Sequence, residues 1–292
     1  MSDPAPEIAT YSLETAAGKL SENIAPLSPA AAKVMALANS INVTPMELTK
    51  SLKLDPVLAA KVLRLVNSTY FDLSVKIISL ERAVIILGLN TIKNLALSAA
   101  VVAQMESAKR NQIIDGARFW KHSLTVGAAA RLIARLRKVD KNIIEDYFIA
   151  GLLHDLGLLA ESQIYPLEMQ LILADSDQVG LVQAEETHLC GLNHGSMARI
   201  LAERWSLSPD LTEAMATHHQ PDPDGEHAEL CQTVCLANVI CNNSGYGLTK
   251  NPPHQEVDPS TAAALGIDEE AIGDILESLE SEIEKATEFL RT

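Results

Sequence analysis

The heptapeptide Gly-Leu-Leu-His-Asp-Leu-Gly at residues 151–157 places an imidazole and a carboxylate side by side in an otherwise apolar segment. An apolar environment disfavours a charged or unpaired polar group unless that group is paired or bound to a metal. Adjacent His154 and Asp155 can offer a nitrogen and an oxygen to the same cation. A metal site at this pair would need further ligands, and these would have to come from other parts of the chain.

Four further histidines lie on, or at the end of, predicted helices that have an apolar face. They are His122, His194 and the doublet His218-His219. A single histidine in such a position is usually a hydrogen-bonded core residue, and this alternative stays open for each of them. Five imidazoles beside one carboxylate are harder to explain in that way, because histidine is uncommon in protein interiors. The sequence predicts a candidate ligand cluster without showing that its members meet.

The segments around these residues have helical periodicity and helix start signals. A capping side chain followed by proline occurs at Ser28-Pro29, Thr44-Pro45, Asp55-Pro56 and Ser208-Pro209. Neither sustained period-two alternation nor an Asn-Gly or Asp-Gly turn between two β-rich runs is present. We therefore predict an all-α protein with many helices of about 8–20 residues.

Several helix boundaries are predicted individually. Ser79 is expected to cap a helix that ends at Gly88, and Asn90 or Thr91 to cap the next one. Periodicity predicts a helix over residues 117–137 and another from about residue 143. The second of these is expected to end at Gly157.

The amino-acid composition argues against nucleic-acid binding and membrane association. The chain has 292 residues, 47% hydrophobic residues and a net charge of −15, so it can bury a sizeable core but has no strongly basic block. We therefore expect no nucleic-acid ligand, and we interpret the most basic segment, residues 131–141, as the solvated face and end of a helix. With no membrane-length apolar run and no signal-like start, we expect no membrane association and a cytoplasmic location.

Four cysteines occur, at positions 190, 231, 235 and 241. The helical spacing of Cys231 and Cys235 differs from the CxxC spacing of zinc knuckles. We interpret all four as small, mostly buried hydrophobic residues of a protein kept in a reducing compartment.

Two motifs in the first half resemble a known family. Asp-Pro-Val-Leu at 55–58, followed by Lys-Val-Leu-Arg-Leu-Val-Asn-Ser-Thr-Tyr at 61–70, resembles the signature of the HDOD family, and residues 78–88 match a second segment of it. The resemblance covers roughly residues 24–240. It implies an all-α, multi-helix HD/HDOD-like bundle in two packed sub-bundles. It also implies a bacterial signalling module whose partner is another signalling protein; the oligomeric state stays open.

HDOD domains resemble the HD metal-dependent phosphohydrolases, and that resemblance assigns roles to the histidines. Asp155 would bridge two metals, with His194, His218 and His219 completing one site. His122 and His154 would serve the other site, together with Asn238 at the last ligand position. The implied cofactor is a divalent ion: iron, manganese, nickel or zinc. If the protein is an enzyme, Asp155 is also the candidate catalytic residue.

Three departures from the catalytic pattern favour a non-catalytic role. Asn238 replaces a carboxylate ligand and offers only a neutral oxygen. Leu158 stands where the catalytic branch has a lysine that could stabilise phosphate charge. The Gly-Tyr-Pro motif of cyclic-di-GMP phosphodiesterases is missing after His219. We therefore predict a regulatory module with a structural or sensory metal, and keep metal-dependent phosphohydrolase as the alternative.

The predicted organisation has five segments. Residues 1–23 form a flexible tail, 24–110 the N-terminal sub-bundle and 111–245 the C-terminal sub-bundle that carries the histidines. A loop over 246–267 then leads to an amphipathic helix over 268–292, capped by Asp268, that is expected to pack on the bundle. Contact of that helix with another protein is the alternative.

Overall fold

The computed structural model describes residues 12–24, 26–38, 43–71, 73–106, 113–141, 143–175, 186–187, 190–248 and 254–287. Across these ranges the chain is helical and contains no strand, so the all-α prediction is confirmed. The α-helices are α1 (Leu13–Asn23), α2 (Pro29–Ala38), α3 (Pro45–Leu52), α4 (Pro56–Val66), α5 (Leu80–Leu87), α6 (Leu89–Glu106), α7 (Gly116–Leu136), α8 (Ile144–Leu153), α9 (Leu156–Ile164), α10 (Pro166–Asp175), α11 (His194–Arg204), α12 (Pro209–Thr217), α13 (Ala228–Cys241), α14 (Pro259–Leu265) and α15 (Glu269–Ala286). A π-helical turn, Asn242–Tyr246, continues α13.

Local capping chemistry sets most of the helix starts. Thr44 and Glu47 form the predicted capping box of α3, with the Glu47 amide donating to the Thr44 hydroxyl at 3.2 Å. Asp55 caps α4 and Ser79 caps α5 as predicted. Asp268 accepts from the Ala271 amide at the start of α15. These starts depend on contacts within three residues, so the sequence alone was sufficient to place them.

Other predicted boundaries were wrong. α6 begins at Leu89 directly after Gly88, whose φ of 85° reverses the chain without a polar cap, so neither Asn90 nor Thr91 caps it. α8 ends at Leu153 rather than at Gly157, because the chain turns at Asp155 and Gly157 belongs to α9.

The predicted end segments also need correction. The expected tail contains α1, which buries Ala16 and Leu20 and packs on α9 and α11, so residues 13–23 are not a loose segment. The expected loop over 246–267 contains α14. α15 packs on α7 through Ile275 and Leu279, which confirms that this helix docks on the bundle. Residues 1–11, the boundary at 110/111 and residues 288–292 lie outside the described residues.

Arg131 contradicts the interpretation of residues 131–141 as a solvated face. This residue is 5% exposed, and its guanidinium lies 3.8 Å from the centre of the Tyr70 ring. Its other neighbours are the carboxylates of Glu145 (3.5 Å) and Glu282 (3.8 Å). Arg131 therefore ties α7 to the segment that follows α4, to α8 and to α15.

Two groups of helices pack on each other, and α7 and α8 form the centre of the second. In the first group α6 packs against α2, α4 and α5. In the second α7 contacts α8, α13 and α15, while α11 packs against α9 and α12. α6 also contacts α8 and so joins the groups. α7 and α8 approach closely at Gly151, where an added Cβ would lie 2.7 Å from the Gly127 Cα.

None of the described helices combines the length and the apolar composition that crossing a bilayer requires. Cys190, Cys231 and Cys241 are buried and Cys235 is half-buried, all four as free thiols, as the sequence predicted.

Candidate metal centre

Helix ends bring the predicted ligands together. His122 lies in the second turn of α7, whereas His154 and Asp155 form the turn between α8 and α9. His194 is the first residue of α11, and His218-His219 follow the last residue of α12. Helix ends suit this role because their backbone is free to turn and direct a side chain inward.

Asp155 lies at the centre of these imidazoles. Its Oδ2 is 3.1 Å from His154 Nε2 and 3.4 Å from His122 Nε2. Its Oδ1 is 3.3 Å from His218 Nε2 and 3.7 Å from His194 Nε2. His219 Nε2 lies 2.9 Å from His194 Nε2. Each carboxylate oxygen therefore faces a separate group of imidazoles.

Two overlapping groups could each hold a cation. Ligand atoms of Asp155, His194, His218 and His219 all lie within 4.8 Å of one another, as do those of His122, His154 and Asp155. Asp155 belongs to both groups. Six of the seven residues predicted from the sequence are thus brought together.

The other ring nitrogen of each anchored histidine is bound to a protein oxygen. Nδ1 of His122 lies 2.9 Å from the Tyr246 carbonyl, and Nδ1 of His154 lies 2.7 Å from the Gly151 carbonyl. Nδ1 of His218 lies 2.9 Å from the carbonyl of Met215. A carbonyl only accepts, so Nδ1 carries the proton and the Nε2 lone pair is directed at the Asp155 carboxylate. This is the arrangement that metal-ligating histidines use.

His194 has a carboxylate partner instead of a carbonyl. Its Nδ1 lies 2.7 Å from Oε2 of Glu186, which also accepts the His194 backbone N–H at 3.0 Å. Glu186 and Glu161 are both fully buried. Burial, and then the neighbouring Glu186 carboxylate, raise the pKa of Glu161 well above its ordinary value and so favour its neutral form. The Glu186 carboxylate, which raises the pKa of His194, is the acceptor that orients this ring.

Glu161, Glu186 and His194 are also close enough to hold a cation. We interpret them differently, because a cation there would compete for the nitrogen that the 2.7 Å hydrogen bond to Glu186 already uses. The group fits a carboxylate–histidine support for a metal at Nε2.

The protonation states suit a cation. Burial opposes ionisation of Asp155, but the neighbouring side chains of His154, His122 and His218 outweigh it and hold the pKa of Asp155 well below its ordinary value. Burial lowers the pKa of His218 to about 4 and that of His219 well below its ordinary value. Their imidazoles are therefore neutral near pH 7, and a neutral imidazole is what a metal requires.

His194 differs from this doublet. Burial works against its protonation, but the carboxylates of Glu186 and Asp155 outweigh burial and raise the pKa of His194. A cation at His194 must therefore compete with a proton, and metal affinity should rise with pH.

A glycine fixes the position of His194. An added Cβ at Gly157 would lie only 1.8 Å from the His194 carbonyl oxygen. α9 and α11 can therefore approach each other closely only with glycine at this position. Residues 154–157 thus supply two candidate ligands, His154 and Asp155, and Gly157 leaves the space that a third, His194, requires.

Asn238 makes no described hydrogen bond to these six ligands, so its predicted role at the metal stays a prediction. It is buried in α13, where its Oδ1 accepts a hydrogen bond from the Asn242 side chain at 3.1 Å. The π-helical turn that follows α13 takes part in the centre instead, because its Tyr246 carbonyl accepts from His122. The sequence had placed Tyr246 only at the start of the predicted loop over 246–267.

The chemistry of the site fits a divalent metal. Five imidazole nitrogens and one carboxylate form a donor set typical of zinc, iron, nickel or manganese sites. His154 Nε2 is buried without a hydrogen-bond partner of good geometry, as expected of a nitrogen whose partner is a metal. A metal would be held by His194, His218, His219 and Asp155, or by His122, His154 and Asp155.

Comparison with known proteins agrees with this architecture. The HDOD domain model matches residues 24–221, which is more than half of the chain. This chain belongs to the HDOD domain family. A protein of Treponema pallidum (strain Nichols), described as uncharacterized, is 28% identical to this HDOD protein over 247 residues. That match covers 80% of this chain but only 45% of the relative, so the chain spans less than half of the relative's length.

Solved structures share the fold. The HDOD domain protein of unknown function from Geobacter sulfurreducens aligns with a TM-score of 0.74 at 22% identity, over 95% of this chain and 99% of its own. A proposed signal-transduction protein from Marinobacter aquaeolei VT8 aligns with a TM-score of 0.72 at 20% identity, over 97% of this chain and 67% of its own. The HDOD protein therefore has the helical fold of these neighbours.

Proposed function

We propose that this HDOD protein is a signal-transduction module of the cytoplasm that holds a divalent metal at Asp155 and the surrounding histidines. The observation that carries the proposal is the shared orientation of the imidazoles: Nδ1 is anchored on protein oxygens and Nε2 is directed at one buried carboxylate. Such preorganisation is unnecessary for ordinary core histidines. It is what a metal site needs to bind its ion without rearrangement.

The role we favour for this metal is structural or sensory. His122, His154, Asp155, His194 and His218 are each no more than 3% exposed, and closed sites are typical of structural metals. Leu158 is a buried leucine, so this position offers no cation to a phosphate group. The output would then be contact with another signalling protein, and the description of the Marinobacter structure as a proposed signal-transduction protein supports that role.

A second candidate function is metal-dependent phosphohydrolysis. It is favoured by one observation, the position of Asp155 between two ligand groups, which is the arrangement of two-metal sites. Two bound cations would activate water and neutralise phosphate charge. To such a site the chain would contribute the Asp155 carboxylate and the anchored imidazoles.

One experiment separates the two functions. The metal-reconstituted protein would be assayed with p-nitrophenyl phosphate, its bis ester, nucleoside phosphates and cyclic dinucleotides, beside Asp155→Asn. The signalling proposal predicts bound metal in the wild type, less in the variant, and turnover in neither. Turnover that depends on Asp155 would establish the phosphohydrolase. Absence of metal in the reconstituted wild type would refute both.

A further inference from the structure

A cavity of about 220 Å³ lies between the two groups of helices, away from the metal centre. Its walls come from α2 and α6 on one side, and from α8 and the α11–α12 connection with the start of α12 on the other. None of the seven predicted metal-site residues lines it. Clefts between packed units are where small-molecule sites are commonly found.

Opposite charges face this cavity without pairing. Lys93 of α6, Asp146 of α8 and Asp210 of α12 all line it. No ion pair within 4.0 Å joins Lys93 to either carboxylate, all three being described residues. The Lys93 ammonium instead lies 3.5 Å from the Asn90 side-chain oxygen. Lys93 and the two carboxylates influence each other at longer range, but a direct ion pair with each of them is left to a molecule that fits inside the cavity.

The cost of these unpaired charges is visible at Asp146. Its carboxylate accepts a hydrogen bond from Asn94, yet burial raises its pKa to about 6, with Asp210 and Glu145 adding to the rise and Lys93 opposing it. An ionised carboxylate held in such a place is unfavourable unless an opposite charge comes close. A positively charged group in the cavity would supply that charge.

Size and lining restrict the occupant. The volume corresponds to about seven water molecules and lies below the range of roughly 300–1,000 Å³ typical of drug-sized ligands. A nucleotide would therefore not fit entirely inside the cavity. A simple ion would satisfy only one sign of charge. Met35, Leu97 and Leu211 add apolar wall, which suits a short carbon skeleton between two charged ends.

We propose that this cavity binds a small zwitterion. Its ammonium group is held by Asp146 and Asp210, and its carboxylate or phosphate group by Lys93. The cavity is also linked structurally to the metal centre. α8 leads directly into His154-Asp155, and α12 leads directly into His218-His219, so the cavity and the centre share two helices.

The test is calorimetric titration of the full chain at pH 7.5 with the twenty standard L-amino acids and with phosphoethanolamine. Comparing the two kinds of probe shows whether the site recognises a carboxylate or a phosphate. We expect at least one of these probes to bind at millimolar concentration or tighter. The N-acetyl derivative of that probe, which lacks the ammonium group, and the analogue that lacks the anionic group should each bind at least tenfold more weakly.

Two variants test whether the probe binds in this cavity. Lys93→Met and Asp210→Asn should each weaken the same probe at least tenfold, because each removes one pole of the site. Matched controls are Lys50→Met and Asp274→Asn, at exposed positions that do not line the cavity, and these should bind as the wild type does. The proposal is overturned if no probe binds, if either charge-deleted analogue binds equally well, or if the cavity variants behave like their controls.

Discussion

Replacing Glu186 by glutamine removes one negative charge from the support of His194 while keeping the side-chain shape. Two hydrogen bonds would change from a charged to a neutral acceptor: His194 Nδ1 at 2.7 Å and the His194 amide at 3.0 Å. A bond to a charged group contributes about 1.5–3 kcal/mol and a neutral one about 0.5–1.5 kcal/mol. Loss of such an outer partner lowers metal affinity about 10–100-fold, or about 1.4–2.7 kcal/mol.

The affinity would be measured by competition with a chromophoric chelator for Zn²⁺ and Mn²⁺. The Co²⁺-loaded protein would also be compared by visible absorption, which reports ligand geometry and would be insensitive to a purely structural loss of stability. Glu277→Gln, at an exposed position of α15, is the matched control. Unchanged affinity within twofold, together with an unchanged Co²⁺ spectrum, would refute the positioning role of Glu186.

Two further predictions concern stability. Gly157→Ala should lower the free energy of unfolding in urea by at least about 2 kcal/mol, because the added Cβ would overlap the His194 carbonyl. The control Gly273→Ala has open space around it in α15, and it should leave the free energy of unfolding unchanged or raise it by about 0.5 kcal/mol. Equal effects would contradict this account of the α9–α11 contact. Asp146→Asn should raise stability at pH 7.5 by about 1–2 kcal/mol, because burial raises the pKa of Asp146 to about 6 and the native state loses stability as pH rises from about 4 through 6. That gain should vanish near pH 4, and a gain of equal size at both pH values would show that the Asp146 charge is not its cause.

Local signals explain what the sequence predicted well. The capping box of Thr44 and Glu47 and the caps at Asp55 and Ser79 depend only on neighbouring residues. The candidate ligands could be named because His and Asp are unusual on apolar helix faces, and because the family resemblance supplied their order. Their distances from Asp155 depend on how four helices pack, and no local pattern in the sequence encodes that.

Glu186 and Tyr246 are two parts of the site that the sequence did not predict. Glu186 reaches His194 across eight residues, and no sequence motif marks it as the partner of that histidine, so only the fold reveals it. Tyr246 contributes a backbone carbonyl, for which side-chain identity gives no signal.

Arg131 and α1 were misjudged for a related reason. A basic residue near a helix end is usually solvated, but here Tyr70 and Glu282, both far away in sequence, enclose it. α1 follows a polar, Ala-rich beginning, yet Leu20 is fully buried because α9 and α11 provide a surface for it. Both depend on long-range packing.

The central claim is that Asp155 and the histidines form a metal centre, and metal content tests it most directly. Elemental analysis would compare the wild type with an Asp155→Ala, His219→Ala variant, each after reconstitution with iron, manganese, nickel or zinc and removal of free ion. We expect near-stoichiometric retention of at least one of these metals by the wild type and loss of it from the variant. Wild-type protein that retains none of the four, or a variant that retains as much as the wild type, would contradict the claim and leave these histidines as hydrogen-bonded core residues.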